Sequence, residues 1–215
     1  MSDKAAPSVA LSPSLARLLL VGVVILWGTN WPVMKVGLLS MPPVWFAAAR
    51  MALGATCLFA LLALLGRLRL PTRQDLPILF TVGGLQMAAF LVLINFGLQH
   101  VEAGRSAVLA YTTPLWVTPA AMLLMSETMT RRKAAGLALG LGGLAVLFNP
   151  FGFDWSNDAA LLGNALLLGA AFAWSLAILH VRAHRWDSTP LQLAPWQMLL
   201  AALPLALLSC CLLYT

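Results

Sequence analysis

Seven apolar runs divide the chain, separated by short polar or proline-bearing stretches. They cover Leu15–Val36, Pro43–Leu65, Asp75–Phe96, Ala103–Met125, Ala134–Phe148, Ala159–Val181 and Pro190–Thr215. A helix rises ~1.5 Å per residue, so about twenty such residues cross a hydrocarbon layer of ~30 Å. The fifth run is shorter than the others. None alternates polar and apolar residues as a barrel strand must, so the pattern predicts an all-α polytopic membrane protein. Residues 1–14 are polar and proline-containing, and the pattern predicts a disordered tail there.

The first run ends in Trp27-Gly28-Thr29-Asn30-Trp31-Pro32-Val33-Met34-Lys35. Gly28 and Pro32 weaken a helix, and Pro32 frees a carbonyl one turn back. A backbone break at membrane depth survives only where protein or a water-filled cavity covers it. Asn30 cannot face lipid cheaply either. The segment is therefore expected to line something polar inside a bundle. It is not read as a cleaved signal peptide, because no small-x-small exit follows the apolar stretch.

An offset of 147 residues carries Trp27 onto Trp174, Leu19 and Leu20 onto Leu166 and Leu167, and Gly22 onto Gly169. The same offset carries Lys35 onto Arg182, Pro43 onto Pro190, Ala47 onto Ala194, Met51 onto Met198 and Leu53 onto Leu200. Arg50 meets Gln197. One ungapped register held through two runs and their linker reads as an internal repeat. The first copy is a five-helix unit over residues 15–148, and residues 159–215 carry two helices of a second copy. Five is odd, so the second copy enters the membrane from the opposite face. Such inverted repeats are a feature of secondary transporters.

Composition agrees with the pattern. The 215 residues are 61% hydrophobic and 9% charged, with mean hydropathy +0.89. Soluble domains carry about 25% charge. The net charge of +6 would suit nucleic acid, but the basic residues stand in loops between runs. No nucleic-acid partner is expected. With the N-terminus inside, Lys4, Arg17, Arg67, Arg69, Arg73, Arg131, Arg132, Lys133, Arg182 and Arg185 fall on the cytoplasmic side, against Lys35 and Arg105 outside. Cys57, Cys210 and Cys211 lie in apolar runs without metal-ligand spacing and read as packing residues. No metal or cofactor is expected.

Four motifs carry a resemblance: W-G-T-N-W-P-V-M-K at 27–35, P-P-V-W-F-A-A-A-R at 42–50, A-G-R-S-A-V-L-A-Y-T-T-P-L-W-V at 103–117 and E-T-M-T-R-R-K-A-A-G at 127–136. In this order and spacing the chain resembles the EamA-like branch of the drug/metabolite transporter superfamily, from Leu15 to about Leu208. The resemblance implies ten helices in two inverted five-helix repeats, with both termini cytoplasmic. It also implies export or import of small metabolites, amino acids among them. Seven of those ten helices are expected in this chain. An arginine is frequent in the family at the position of Arg50, which implies a structural role for it.

Transport needs a polar path, aromatic surfaces for the solute, and hinges. Trp27, Asn30 and Trp31 share one helical face at i, i+3 and i+4. The plainer account is interfacial Trp anchoring, with Asn30 bonding a neighbouring helix. The fourth run clusters Tyr111, Thr113 and Trp116 around Pro114, where a kink is expected. The alternative there is ordinary packing. In the third run Gln86 and Asn95 stand ~180° apart on an ideal helix, so both reach one cavity only if Gly83-Gly84 or Gly97 bends it. Gln86 lies nearer the midplane and is preferred. Trp174 is the expected partner of Trp27 across a pseudo-twofold axis, and His180 reads as a solvated group near the inner end. Gly136, Gly140 and Gly143 suit close helix approach, within the monomer or in a homodimer.

The leading reading is a metabolite carrier, most simply an exporter, of the inner membrane, working by alternating access on a small amphipathic solute. With no Asp or Glu mid-span, its path is expected to be uncoupled or exchange-type. A second reading is a truncated, non-transporting subunit that assembles with a partner. A membrane enzyme ranks last, since paired carboxylates and metal-binding runs are absent from the sequence.

Overall fold

The structure, a computed structural model, describes residues 12–148 and 156–213. The described chain is helical, with α1 (Pro13–Gly37), α2 (Pro43–Leu64), α3 (Leu76–His100), α4 (Ala103–Met125), α5 (Arg131–Phe148), α6 (Asp158–Ala183) and α7 (Pro190–Leu213). Six of these are long and apolar enough to cross a membrane. The exception is α5, whose 18 residues begin with three basic side chains. Residues 1–11, with most of the expected disordered tail, and residues 149–155 and 214–215 lie outside the described residues.

Several boundaries differ from expectation, each for a local reason. α1 begins at Pro13, inside the predicted tail, because Ser12 accepts the Leu15 amide at 3.3 Å and Pro13 suits the first turn. Pro32 does not break α1, which continues to Gly37. α3 runs to His100, four residues beyond the expected end. Its Val82–Ala89 segment winds as a π-helix around Gly83-Gly84, one of the two places, with Gly97, where a bend would be needed to bring Gln86 and Asn95 to one cavity. α4 is interrupted at Tyr111-Thr112, and Pro114 opens its second half rather than kinking a continuous helix. The cysteines are exposed rather than packed.

The core forms where α3 meets α6 and where α2 meets α7. Along α3 and α6 the backbones nearly touch. A Cβ at Gly97 would stand 2.7 Å from Leu167 Cγ and 3.1 Å from the Gly163 carbonyl oxygen, so only glycine permits this approach. Ile94, Leu98, Leu167 and Ala170 fill the seam around it. Between α2 and α7, Ala47, Ala48, Met51, Ala201, Ala202 and Leu205 are buried together.

Polar contacts fix the direction of each helix. At one end Lys35 Nζ donates to the carbonyls of Leu98 and Val101, and Gly163 abuts His100 and Val101. The C-terminal end of α1, the C-terminal end of α3 and the N-terminal end of α6 therefore lie together. α1, which carries Trp27, and α6, which carries Trp174, therefore run in opposite directions. At the other end Asp75, preceding α3, accepts from the loop that leads into α7. Glu127, after α4, pairs with Lys133 at 2.8 Å and with Arg182 of α6 at 3.6 Å. The basic α2–α3, α4–α5 and α6–α7 loops are thus gathered on one end of the bundle.

Candidate functional site

A cavity of about 440 Å³ opens in the bundle, lined by α1, α2, α3, α4 and α6. Trp27, Asn30 and Trp31 come from α1, Arg50 from α2, Phe90 from α3, Tyr111 from the interruption in α4 and Trp174 from α6. Five of the residues singled out in the sequence therefore meet at one place: Trp27, Asn30, Trp31, Tyr111 and Trp174. Trp27 and Trp174, equivalent under the 147-residue offset, line the same space.

Trp31 is buried, and its indole Nε1 donates to the Tyr111 hydroxyl at 3.2 Å. The two rings meet edge to face with centroids 5.9 Å apart. Ending the first half of α4 at Ala110 lets Tyr111 swing to this position. Trp174 stands edge-on to Phe90 at 4.8 Å. These contacts hold rings in T-shaped pairs, the arrangement favoured by their quadrupoles. Much of the cavity wall is therefore aromatic. Trp27 remains 53% exposed, so α1 leaves that side of the cavity open among the described residues.

Asn30 connects the wall to a charge. Arg50 Nη2 donates to Asn30 Oδ1 at 3.1 Å, while Asn30 Nδ2 reaches the Met34 sulfur at 3.1 Å. The guanidinium carbon lies 5.6 Å from the Phe46 ring centre. Arg50 is thus part of the cavity, which sequence reasoning did not assign to it. The signal available was a cation within a membrane run, itself a pointer to a functional site.

The remaining three residues lie elsewhere. Thr113 is buried, donates to the Ala110 carbonyl at 2.9 Å, and lines a neighbouring cavity of about 320 Å³ that shares Tyr111 and Trp174. Trp116 packs on Phe172 at 5.5 Å and reaches Thr112 Oγ1 at 3.4 Å, outside the 440 Å³ cavity. Gln86 sits in the π-helical turn of α3 and does not line that cavity. Asn95 is fully buried and donates to the Pro43 carbonyl at 2.9 Å, tying α3 to the start of α2. Gly136, Gly140 and Gly143 of α5 face a groove against α4, where a Cβ at Gly140 would stand 2.8 Å from Leu115. No cluster of His, Cys, Asp or Glu able to hold a metal occurs among the described residues.

Fold and cavity together define a multi-pass membrane protein of helical-bundle type with an aromatic, solute-sized recess. The chain belongs to the EamA-like transporter family, whose match covers residues 14–149. It is similar to the uncharacterized transporter YoaV of Bacillus subtilis, 28% identical over 88% of this chain and 65% of that protein. It is also similar to a probable amino-acid metabolite efflux pump of Escherichia coli, 29% identical over 85% of this chain and 59% of that protein. A probable terminal-alkyne amino-acid exporter of Streptantibioticus cattleyicolor is 31% identical over 60% of this chain and 43% of that protein. The chain spans less than two-thirds of the length of each of these relatives. No solved structure matches it.

Proposed function

We propose that the chain forms the solute cavity of a secondary transporter that exports small amphipathic metabolites, amino acids among them, across the inner membrane. The single observation that carries this is the aromatic recess at 440 Å³, within the size range of small-molecule sites. The relatives named for amino-acid efflux support the substrate class. The basic loops gathered at one end favour a cytoplasmic N-terminus and a cytoplasmic position for that end. Alternating access is supported by the opposite directions of α1 and α6 and by the 147-residue repeat, which together fit an inverted-repeat carrier.

The test is flux in liposomes loaded with labelled phenylalanine, using the chain in its full-length natural context. Efflux above that of protein-free vesicles is expected, with a loss of about tenfold in Trp174→Ala, whose ring lines the recess. Equal flux in protein-containing and protein-free vesicles would defeat the carrier reading. A second reading, a subunit that assembles with a helix-supplying partner, is favoured by the largely exposed apolar surface of α1. It predicts a stoichiometric partner when the protein is extracted in mild detergent and weighed by native mass spectrometry.

A further inference from the structure

We propose that Arg50 and Asn30 receive the carboxylate of the transported solute, so that the cavity selects amphipathic carboxylates over neutral or cationic molecules of the same shape. The inference rests on the carrier reading and deepens it. Arg50 lies about two turns into α2, within the span. Its Nη1 is buried and has no hydrogen-bond partner among the described residues, and Asn30 is the one partner of its Nη2. A buried guanidinium normally has its donors occupied, because an unpaired charge away from water is costly.

The acidic residues of the described chain offer no relief. Asp75, Glu102, Glu127, Asp158 and Asp187 all stand at helix ends or in loops. Asp75 is already saturated by Thr72, Asp187 and Ser188, and Glu127 by Lys133 and Arg182. The recess thus contains a cation without an acidic neighbour from this set.

The shape of the charge identifies its ligand. A guanidinium presents a planar fork that matches a carboxylate with two parallel bonds. Asn30 adds a second donor, since its Nδ2 is occupied only by a thioether, a weak acceptor. Around this polar corner the walls are rings. The Trp31 indole N–H is already spent on Tyr111, so that ring turns an apolar surface to the space. One fixed cation set among aromatic faces suits a molecule with a single carboxylate and an apolar body.

The experiment measures binding through the fluorescence of the cavity tryptophans in the purified full-length protein in nanodiscs. Three probes share one body: 3-phenylpropionate, 3-phenylpropanamide and 3-phenylpropylamine. The acid is expected to bind about tenfold more tightly than the amide or the amine. In Arg50→Gln this preference falls to less than about twofold, and Arg50→Lys retains an intermediate preference. A melting temperature close to that of the native protein shows that the variant is folded. Equal binding of acid and amide by the native protein overturns the proposal and leaves the carrier reading standing. So does an Arg50→Gln protein that keeps the preference, or an amine that binds tightest. If no probe binds and no flux is seen, both readings fall.

Discussion

Asp75 and Arg50 are two charged side chains withdrawn from water among the described residues, and they are treated in opposite ways. Asp75 is fully buried at the basic end of the bundle. Its oxygens accept from the Thr72 amide and hydroxyl, the Asp187 and Ser188 amides, and the Ser188 hydroxyl, at 2.6 to 3.2 Å. Arg50, within the span, has Asn30 on Nη2 and nothing from the described chain on the buried Nη1. A charge that serves architecture is surrounded until its valences are filled. A charge left incomplete beside a cavity is available to something that arrives later.

The contrast is broken most severely at Asp75. Asp75→Ala strands donors from two loops, and we expect a loss on the order of 3 kcal/mol of stability, read as a lower melting temperature in detergent. Its ionisation makes a related prediction. Burial raises the pKa of this carboxyl, but the hydrogen bonds from Ser188, Thr72 and Asp187 outweigh that and hold it well below the ordinary value of 3.8. The unfolded chain therefore takes up the proton first as pH falls. The stability from Asp75 is full above pH ~4 and declines below it. Asp75→Asn should lack that acid slope in a pH series of melts, and an unchanged slope would assign the acid sensitivity elsewhere.

At Arg50 the expected order is reversed, with function lost before stability. Arg50→Met removes an unpaired buried donor and one hydrogen bond together, so stability should change by no more than ~1 kcal/mol in either direction. Loss of several kcal/mol would mean that Arg50 is a structural charge like Asp75. The smallest effect belongs to Glu127. Its carboxyl is held below the ordinary range by the Lys133 hydrogen bond and charge, with Arg182 adding to this. All three groups are substantially exposed. Glu127→Gln should shift the melting temperature slightly at low salt and not at all at high salt.

How much of this was legible in the chain differs by residue. Six of the seven expected spans were, because a membrane enforces long apolar runs; the fifth run also forms a helix, α5, but not one long and apolar enough to cross. The π-helical turn at Val82–Ala89 was only half legible: the glycine pair marked the place without fixing the winding. The cavity was legible where aromatic and amide residues interrupt the runs, as at Trp27, Asn30, Trp31, Tyr111 and Trp174. Thr113 and Trp116 share that local signature, yet the interruption of α4 at Tyr111-Thr112 leaves Trp116 outside the 440 Å³ recess and Thr113 in the 320 Å³ one beside it. Arg50 was visible as an anomaly, but its role depends on which neighbours it lacks, and that needs three dimensions. The same holds for Asp75, which the sequence places at a helix end and whose partner Ser188 lies 113 residues away.

A π turn accommodates one residue more than an α turn, so Val82–Ala89 stores a surplus residue midway along α3. Deleting the surplus residue would restore α winding with the register beyond it kept, but rewinding the segment as α with every residue retained would rotate everything beyond it by ~100°. Asn95 would leave the Pro43 carbonyl, and Gly97 would present a different flank to Gly163. The winding of that one turn thus sets the azimuth of half a helix.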